Sequence, residues 1–132
     1  MVVFNDARKD NAINGIMASI FGAGGQSCIA GSRLYLQKNI YEEYLKELKT
    51  RAEAITIGDP MSNSTQLGPL ATLNQLQNIE DKIKQTLEQG GKIITGGNRI
   101  NEFKKGFYFE PTIIECNPVS YTHLTLPTNR EV

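Results

Sequence analysis

Apolar residues recur at Ala12, Ile13, Ile16, Met17, Ile20 and Phe21. That three-and-four spacing marks one face of a helix and predicts an amphipathic helix over residues 7–21. The short run Val2-Val3-Phe4 ahead of it stops at Asn5-Asp6 and reads as the end of a buried strand, with Asp6 available to cap the helix. Gly22-Ala23-Gly24-Gly25 closes the periodic stretch, because three glycines in four positions leave the backbone too free to continue a helix cheaply. The alternating Arg33-Leu34-Tyr35-Leu36-Gln37 predicts a strand. A second helix follows over residues 40–54, with Ile40, Tyr44, Leu45 and Leu48 on one face and charges opposite. Residues 55–58 read as extended, and Asp59-Pro60 and Gly68-Pro69 bracket a Ser/Asn/Thr-rich loop. The third helix spans residues 73–89 through Leu76, Ile79, Ile83 and Leu87, and Gly90-Gly91 supplies its C-terminal stop. Lys92-Ile93-Ile94-Thr95 is a short strand. Phe107-Tyr108-Phe109 and Thr112-Ile113-Ile114 flank Pro111, which suggests an edge position or a kink between extended pieces. Strands alternating with helices define an α/β chain.

Composition narrows the classes available to that pattern. The 132 residues carry 14 Lys and Arg against 14 Asp and Glu, so the formal net charge is zero. A sequence-independent nucleic-acid binder needs an excess of cations to neutralise phosphates, and none is present. At 39% hydrophobic and 21% charged residues the chain is globular in composition. No apolar stretch approaches the roughly 18–20 residues that cross a bilayer, and the N-terminus lacks the pattern of a signal peptide. Two cysteines, Cys28 and Cys116, make no disulfide framework. The expectation is a soluble, cytoplasmic protein with free thiols and no nucleic-acid or membrane partner.

The glycine-rich Phe21-Gly22-Ala23-Gly24-Gly25-Gln26-Ser27-Cys28 fails as a phosphate cradle. A dinucleotide fingerprint needs a third glycine where Ser27 stands and a strand where a helix is predicted; a P-loop needs a Gly-Lys-Ser/Thr ending. Cys28 itself is the better candidate. If Ile29-Ala30-Gly31 begins a short helical turn, the unpaired N–H groups there favour the nucleophilic thiolate and offer donors to an oxyanion. The small neighbours Gly24, Gly25, Ser27, Ala30 and Gly31 leave room for a carbonyl to approach the sulfur. On composition alone the alternative stands that Cys28 is a small core residue. His123 is the one histidine, so a Cys–His pair has no other imidazole to draw on, and no zinc-ligand spacing exists. Asn63-Ser64-Thr65 matches a glycosylation sequon but reads as loop.

Taken together, Phe21-x-x-x-Gly25-Gln26-x-Cys28 and the following Ile29-Ala30-Gly31-Ser32-Arg33 resemble the active-site cysteine signature of the aldehyde dehydrogenase superfamily. The resemblance continues in order through Val2-Val3-Phe4-Asn5-Asp6-Ala7, Gly58-Asp59-Pro60, Leu67-Gly68-Pro69-Leu70 and Gly90-Gly91-Lys92. It then takes in Gly96-Gly97 and Gly106-Phe107-Tyr108-Phe109-Glu110-Pro111-Thr112, and covers about residues 2–116. It implies part of a three-layer α/β catalytic domain, with a mixed or parallel sheet flanked by helices. It also implies an NAD- or NADP-dependent oxidation of an aldehyde in which Cys28 attacks the carbonyl. The thiohemiacetal then passes through a thioester that water, or coenzyme A in some branches, resolves. Gln75 falls where many members place a glutamine near the cofactor ribose, although the lysine often found three residues later is Asn78 here. Gln75 is equally readable as a solvated helix residue.

The same resemblance points to elements outside this sequence: an upstream Glu-Leu-Gly-Gly motif with the usual general base, the Rossmann-type cofactor domain, and a downstream Glu-x-Phe-Gly-Pro segment. The expectation is a partial catalytic domain over residues 1–117, inactive alone, with Met1 an internal start, and a homodimeric or homotetrameric parent. Residues 118–132 have no helical period, and Val119-Ser120-Tyr121-Thr122-His123-Leu124-Thr125-Leu126-Pro127-Thr128 resembles one reading frame of a sequencing-library adapter. That stretch is expected to be a non-native tail. A non-catalytic scaffold relative and a coenzyme A-acylating semialdehyde dehydrogenase are the alternatives.

Overall fold

The computed structural model describes residues 1–103 and 105–116. The chain starts with strand β1 (Val2–Val3), crosses over through helix α1 (Lys9–Phe21) and returns as strand β2 (Tyr35–Leu36). β1 and β2 pair in parallel, Val2 opposite Tyr35 and Val3 opposite Leu36. Parallel neighbours cannot be joined by a tight hairpin, so a helical crossover is what this pairing requires. After a single 3-10 turn at Lys38–Ile40, helix α2 (Tyr41–Glu53) packs on α1. The spacing that predicted each helix also builds the core. Ile13 and Ile16 of α1 meet Tyr44 and Leu48 of α2 over Val3 of β1, and Ala12, Met17, Leu36 and Ile40 close the margins.

Helix α3 (Leu73–Glu88) follows the loop, and Thr72 caps it by accepting a hydrogen bond from the Gln75 N–H at 3.2 Å. Its end is the glycine stop anticipated above. Gly90, at φ +88°, donates to Leu87 O at 3.0 Å, and Gly91 donates to Thr86 O at 2.9 Å. This is the paired Schellman arrangement, which a residue with a Cβ enters only under strain. Strand β3 (Lys92–Thr95) then pairs antiparallel with β6 (Ile113–Glu115), and β4 (Arg99–Ile100) pairs antiparallel with β5 (Tyr108–Phe109). Pro111 lies between β5 and β6, where the chain leaves one sheet for the other, which is the kink its missing N–H favours. Helices alternating with parallel and antiparallel strand pairs make this an α/β fold.

Several local expectations are revised. α1 starts at Lys9 rather than at residue 7, and Asp6 does not cap it. The Ala7 N–H donates to Phe4 O at 3.2 Å, so residues 4–7 are consumed in a turn and Asp6 falls two positions short of the N-cap site at Arg8. The strand expected over residues 33–37 narrows to Tyr35–Leu36, because its partner β1 offers only two residues. β4 was not anticipated, since a two-residue strand carries no periodicity to read. The expectation for residues 118–132, His123 included, lies outside the described residues.

A polar seam lies over the helix pair. Lys9 pairs with Glu43 across the two helices, and the Arg51 guanidinium donates to Glu47 at 2.7 Å and to Asn14 of α1 at 2.6 Å. The Arg51 hydrogen bond holds the Glu47 carboxyl below its ordinary range, and the Glu43 hydrogen bond raises the Lys9 ammonium above its own. A lowered carboxyl stabilises the fold above its unfolded-state pKa, and that contribution disappears as pH falls through the folded value. Glu47→Gln should therefore lower stability at neutral and alkaline pH, flatten the acid limb of a stability-versus-pH curve in urea denaturation, and converge on the parent at low pH. Ile13 is fully buried at the centre of the core. Ile13→Ala is expected to cost about 2–5 kcal/mol, read as a lower midpoint in urea denaturation.

Candidate active site

α1 ends at Phe21, and the next residues reverse the chain through a left-handed stretch: Ala23 at φ 50°, Gly24 at φ 63° and Gly25 at φ 69°. A left-handed alanine is strained by about 1–2 kcal/mol, so the turn is held by its surroundings and not by local preference. Gly25 is required twice over, by its backbone angle and because a Cβ there would sit 2.9 Å from Ile20 O. The Gln26 N–H closes the reversal on Ala23 O at 3.2 Å.

Beyond it, Ala30 N–H donates to Ser27 O at 3.1 Å, enclosing Cys28 and Ile29 in one turn. The Gly31 N–H then returns to Ser19 O of α1 at 2.9 Å, a close approach in which a Gly31 Cβ would lie 2.6 Å from Ser19 Oγ. Cys28 thus sits, exposed, at the tip of a loop whose two feet rest on the last turns of α1. The expected helical turn after Cys28 amounts to this one hydrogen-bonded turn. Ser32 N–H folds back to Ala30 O, so no helix continues and no macrodipole builds behind the sulfur. Within this chain Cys28 is exposed and is no part of the packed core.

Gln75 lies in the first turn of α3, next to Leu76, which is fully buried. Thr72 and Gln75 have capping-box spacing, but only half of the box forms. Thr72 Oγ1 accepts from the Gln75 N–H, whereas Gln75 Oε1 is buried with no hydrogen-bond partner among the described residues. Its surroundings are therefore not those of a solvated helix residue. Asn78 is exposed one turn further along.

One side chain joins the two regions. Gln26, two residues before Cys28, accepts a hydrogen bond through its Oε1 from the Ala71 N–H at 3.0 Å, immediately before the Thr72 cap. Neither that contact nor the Thr72 cap was anticipated. The Thr-x-x-Gln spacing could have revealed the cap; nothing in the sequence pairs Gln26 with Ala71, 45 positions away.

Two clefts flank this region. One of about 360 Å³ lies among Met17, Phe21, Arg51, Ala54, Ile55 and Leu67. The other, about 260 Å³, lies behind the glycine turn among Ile20, Gly25, Leu70, Ile79, Phe109 and Pro111. Cys28 and Gln75 line neither. Cys116 is half-buried. Among the described residues no group of three or more His, Cys, Asp or Glu could hold a metal ion, and no helix is long and apolar enough to cross a membrane.

The order of these motifs and the α/β arrangement that carries them are those of the aldehyde dehydrogenase family. The aldehyde dehydrogenase family pattern matches residues 1–123, and the chain belongs to that family. It is 42% identical over 119 residues to (Z)-2-((N-methylformamido)methylene)-5-hydroxybutyrolactone dehydrogenase of Acinetobacter baylyi, an alignment covering 90% of this chain and 24% of that protein. PnpE of Pseudomonas sp. WBC-3 superposes with a TM-score of 0.85 at 40% identity, covering 89% of this chain and 24% of PnpE. PnpE is also known in complex with nicotinamide adenine dinucleotide. An NADP-dependent enzyme of E. coli superposes at 0.80 with 34% identity, covering 86% of this chain and 23% of its own. The chain spans about a quarter of the length of the relatives it matches. These likenesses bear out the expected fold, part of an aldehyde dehydrogenase α/β domain.

The glycine turn gives a direct test. Gly25→Ala should destabilise the chain by about 1–3 kcal/mol through its left-handed angle and the contact with Ile20 O. Urea denaturation reads the loss. A variant as stable as the parent would mean the turn relaxes freely.

Proposed function

We propose that this chain supplies the nucleophile-bearing segment of an NAD- or NADP-dependent aldehyde dehydrogenase, with Cys28 as the catalytic residue. The observation that carries the reading is the exposed Cys28 at the tip of the Gly25-Gln26-x-Cys28 loop, inside a family match that runs from residue 1 to 123. Exposure and small neighbours allow a carbonyl carbon to reach Sγ. Attack by the thiolate forms the S–C bond of a thiohemiacetal and moves the carbonyl electron pair onto oxygen, where the backbone N–H of Cys28 is the candidate donor, those of Ile29 and Ala30 being engaged by Ser27. Loss of hydride from that carbon leaves a thioester on Cys28. Water, or coenzyme A, then displaces the sulfur and releases an acid or an acyl-thioester with the free thiol.

Bound nicotinamide cofactor supplies the hydride acceptor. Gln75 is the residue whose place in the family pattern suits such a group; its Oε1 is buried without a partner among the described residues, so it meets a ribose hydroxyl only when the side chain turns outward. Leaving an acceptor buried and unpaired is costly, and a ligand that draws the side chain out relieves that penalty. Gln75 is accordingly assigned to cofactor binding, and Cys28 to chemistry.

Because the chain spans about a quarter of its relatives, the 132-residue polypeptide alone is expected to show no steady-state NADH or NADPH formation with a panel of aldehydes. Sustained turnover would refute that. Iodoacetamide should label exposed Cys28 ahead of half-buried Cys116, as peptide mass mapping would record. In the protein expressed from the complete coding sequence, Cys28→Ala should lower turnover by roughly a thousandfold or more. Retention of full activity by that variant sinks the assignment.

Residues 1–117 form the family segment in this reading, and residues 118–132 a non-native tail. The family match runs on to residue 123, so the reading of the tail rests on the resemblance of residues 119–128 to adapter sequence. Sequencing an intact amplicon across the locus decides it: a Glu-x-Phe-Gly-Pro continuation supports the reading, and genomic recovery of the tail overturns it.

A further inference from the structure

We propose that Gln26 is a positioning residue, a side-chain clamp that fixes the Cys28 loop against the segment leading into α3. This role rests on Cys28 being the nucleophile, and it deepens that assignment by naming what sets the sulfur's place. Among the described residues the Cys28 loop is hydrogen-bonded to other elements at both of its ends. At its far end the Gly31 N–H is held by Ser19 O of α1, backbone to backbone, at 2.9 Å. At its near end the backbone hydrogen bond of Gln26 goes only to Ala23, within the same glycine-rich turn.

That turn is locally weak. It contains a strained left-handed alanine and two left-handed glycines, and it ends in four residues with no long-range backbone bond. What ties the near end to another element is the Gln26 side chain, whose Oε1 accepts from Ala71 N at 3.0 Å. Ala71 adjoins Thr72, whose hydroxyl caps α3 on the Gln75 N–H. A continuous path of two hydrogen bonds therefore runs from the residue two before Cys28 to the residue assigned to the cofactor. The amide oxygen is what the contact uses, so an acceptor of glutamine's length is the requirement at this position. A loop held in this way presents Sγ at a set distance from the start of α3, which is what attack on a bound substrate needs.

Hydrogen exchange on the 132-residue chain tests the clamp with two variants. Gln26→Met keeps the length and removes the acceptor; Gln26→Glu keeps the acceptor. The Ala71 amide is expected to exchange about fivefold faster in Gln26→Met than in the parent, with the Ala30 amide of the Cys28 turn following it. Gln26→Glu should restore both. The Leu48 amide, in the core of α2, should be unaffected throughout and so reports that each variant is folded. The clamp is overturned if Ala71 exchanges equally in parent and Gln26→Met, if Ala30 does not follow Ala71, or if Gln26→Glu fails to rescue either amide. It is equally overturned if Leu48 accelerates in step with them, since the effect is then global. Failure of the Cys28→Ala test in the complete protein would remove the nucleophile and leave these exchange rates as they are, so the two outcomes are separable.

Discussion

Burial of one stripe of α1 governs the arrangement of the rest. Ile13 and Ile16 leave water only if α2 brings Tyr44 and Leu48 to them, and both helices leave water only against Val3 of β1. At about 25 cal/mol per Å² of apolar surface buried, a few such side chains supply most of what a segment this small can gain. Their meeting sets the direction in which α1 ends. It thereby sets where the glycine-rich turn begins and where Cys28 emerges. The parallel pairing of β1 with β2 follows from the same packing, because α1 is the crossover between them.

The site is made from the least regular part of the chain. Three successive left-handed residues, one of them an alanine, reverse the backbone within a few ångströms of the helix they leave. Strain of this kind persists only where packing over-determines it. Here the constraint comes from both sides: Gly31 seated on Ser19, and Gln26 reaching to Ala71. The sulfur is consequently exposed yet carried on a held loop, a combination suited to a nucleophile that must meet a substrate without being packed against its own protein. The half-formed capping box at Thr72 has a related consequence. Gln75 gives its backbone N–H to the cap but leaves its side-chain oxygen uncommitted.

Much of the scaffold was legible beforehand because its signals are periodic. The apolar spacing located all three helices to within two residues at either end, and Gly90-Gly91 marked a Schellman stop that the structure forms in full. Asp6 misled because its cap preference says nothing of the competing turn, in which Ala7 N–H is spent on Phe4 O. The strand over residues 33–37 was overextended for a different reason: pairing length is set by the partner, and β1 provides two residues. Cys28 was legible from its glycine-rich neighbourhood, but the helical turn imagined behind it was not, since Ser32 folding back on Ala30 depends on where Gly31 is anchored.

What the sequence by itself determined is therefore the helices α1 to α3, most of the strands and the family resemblance, with Cys28 singled out as the candidate nucleophile. Periodicity, glycine content and motif order are properties of neighbours along the chain. Tertiary structure alone decided that Cys28 is exposed, that Gln75 Oε1 is buried without a partner among the described residues, and that Gln26 binds Ala71. Each of these depends on which distant residues come together, and a hydrogen bond between positions 45 apart leaves no local trace. It forms because the packed helices bring the two loops together.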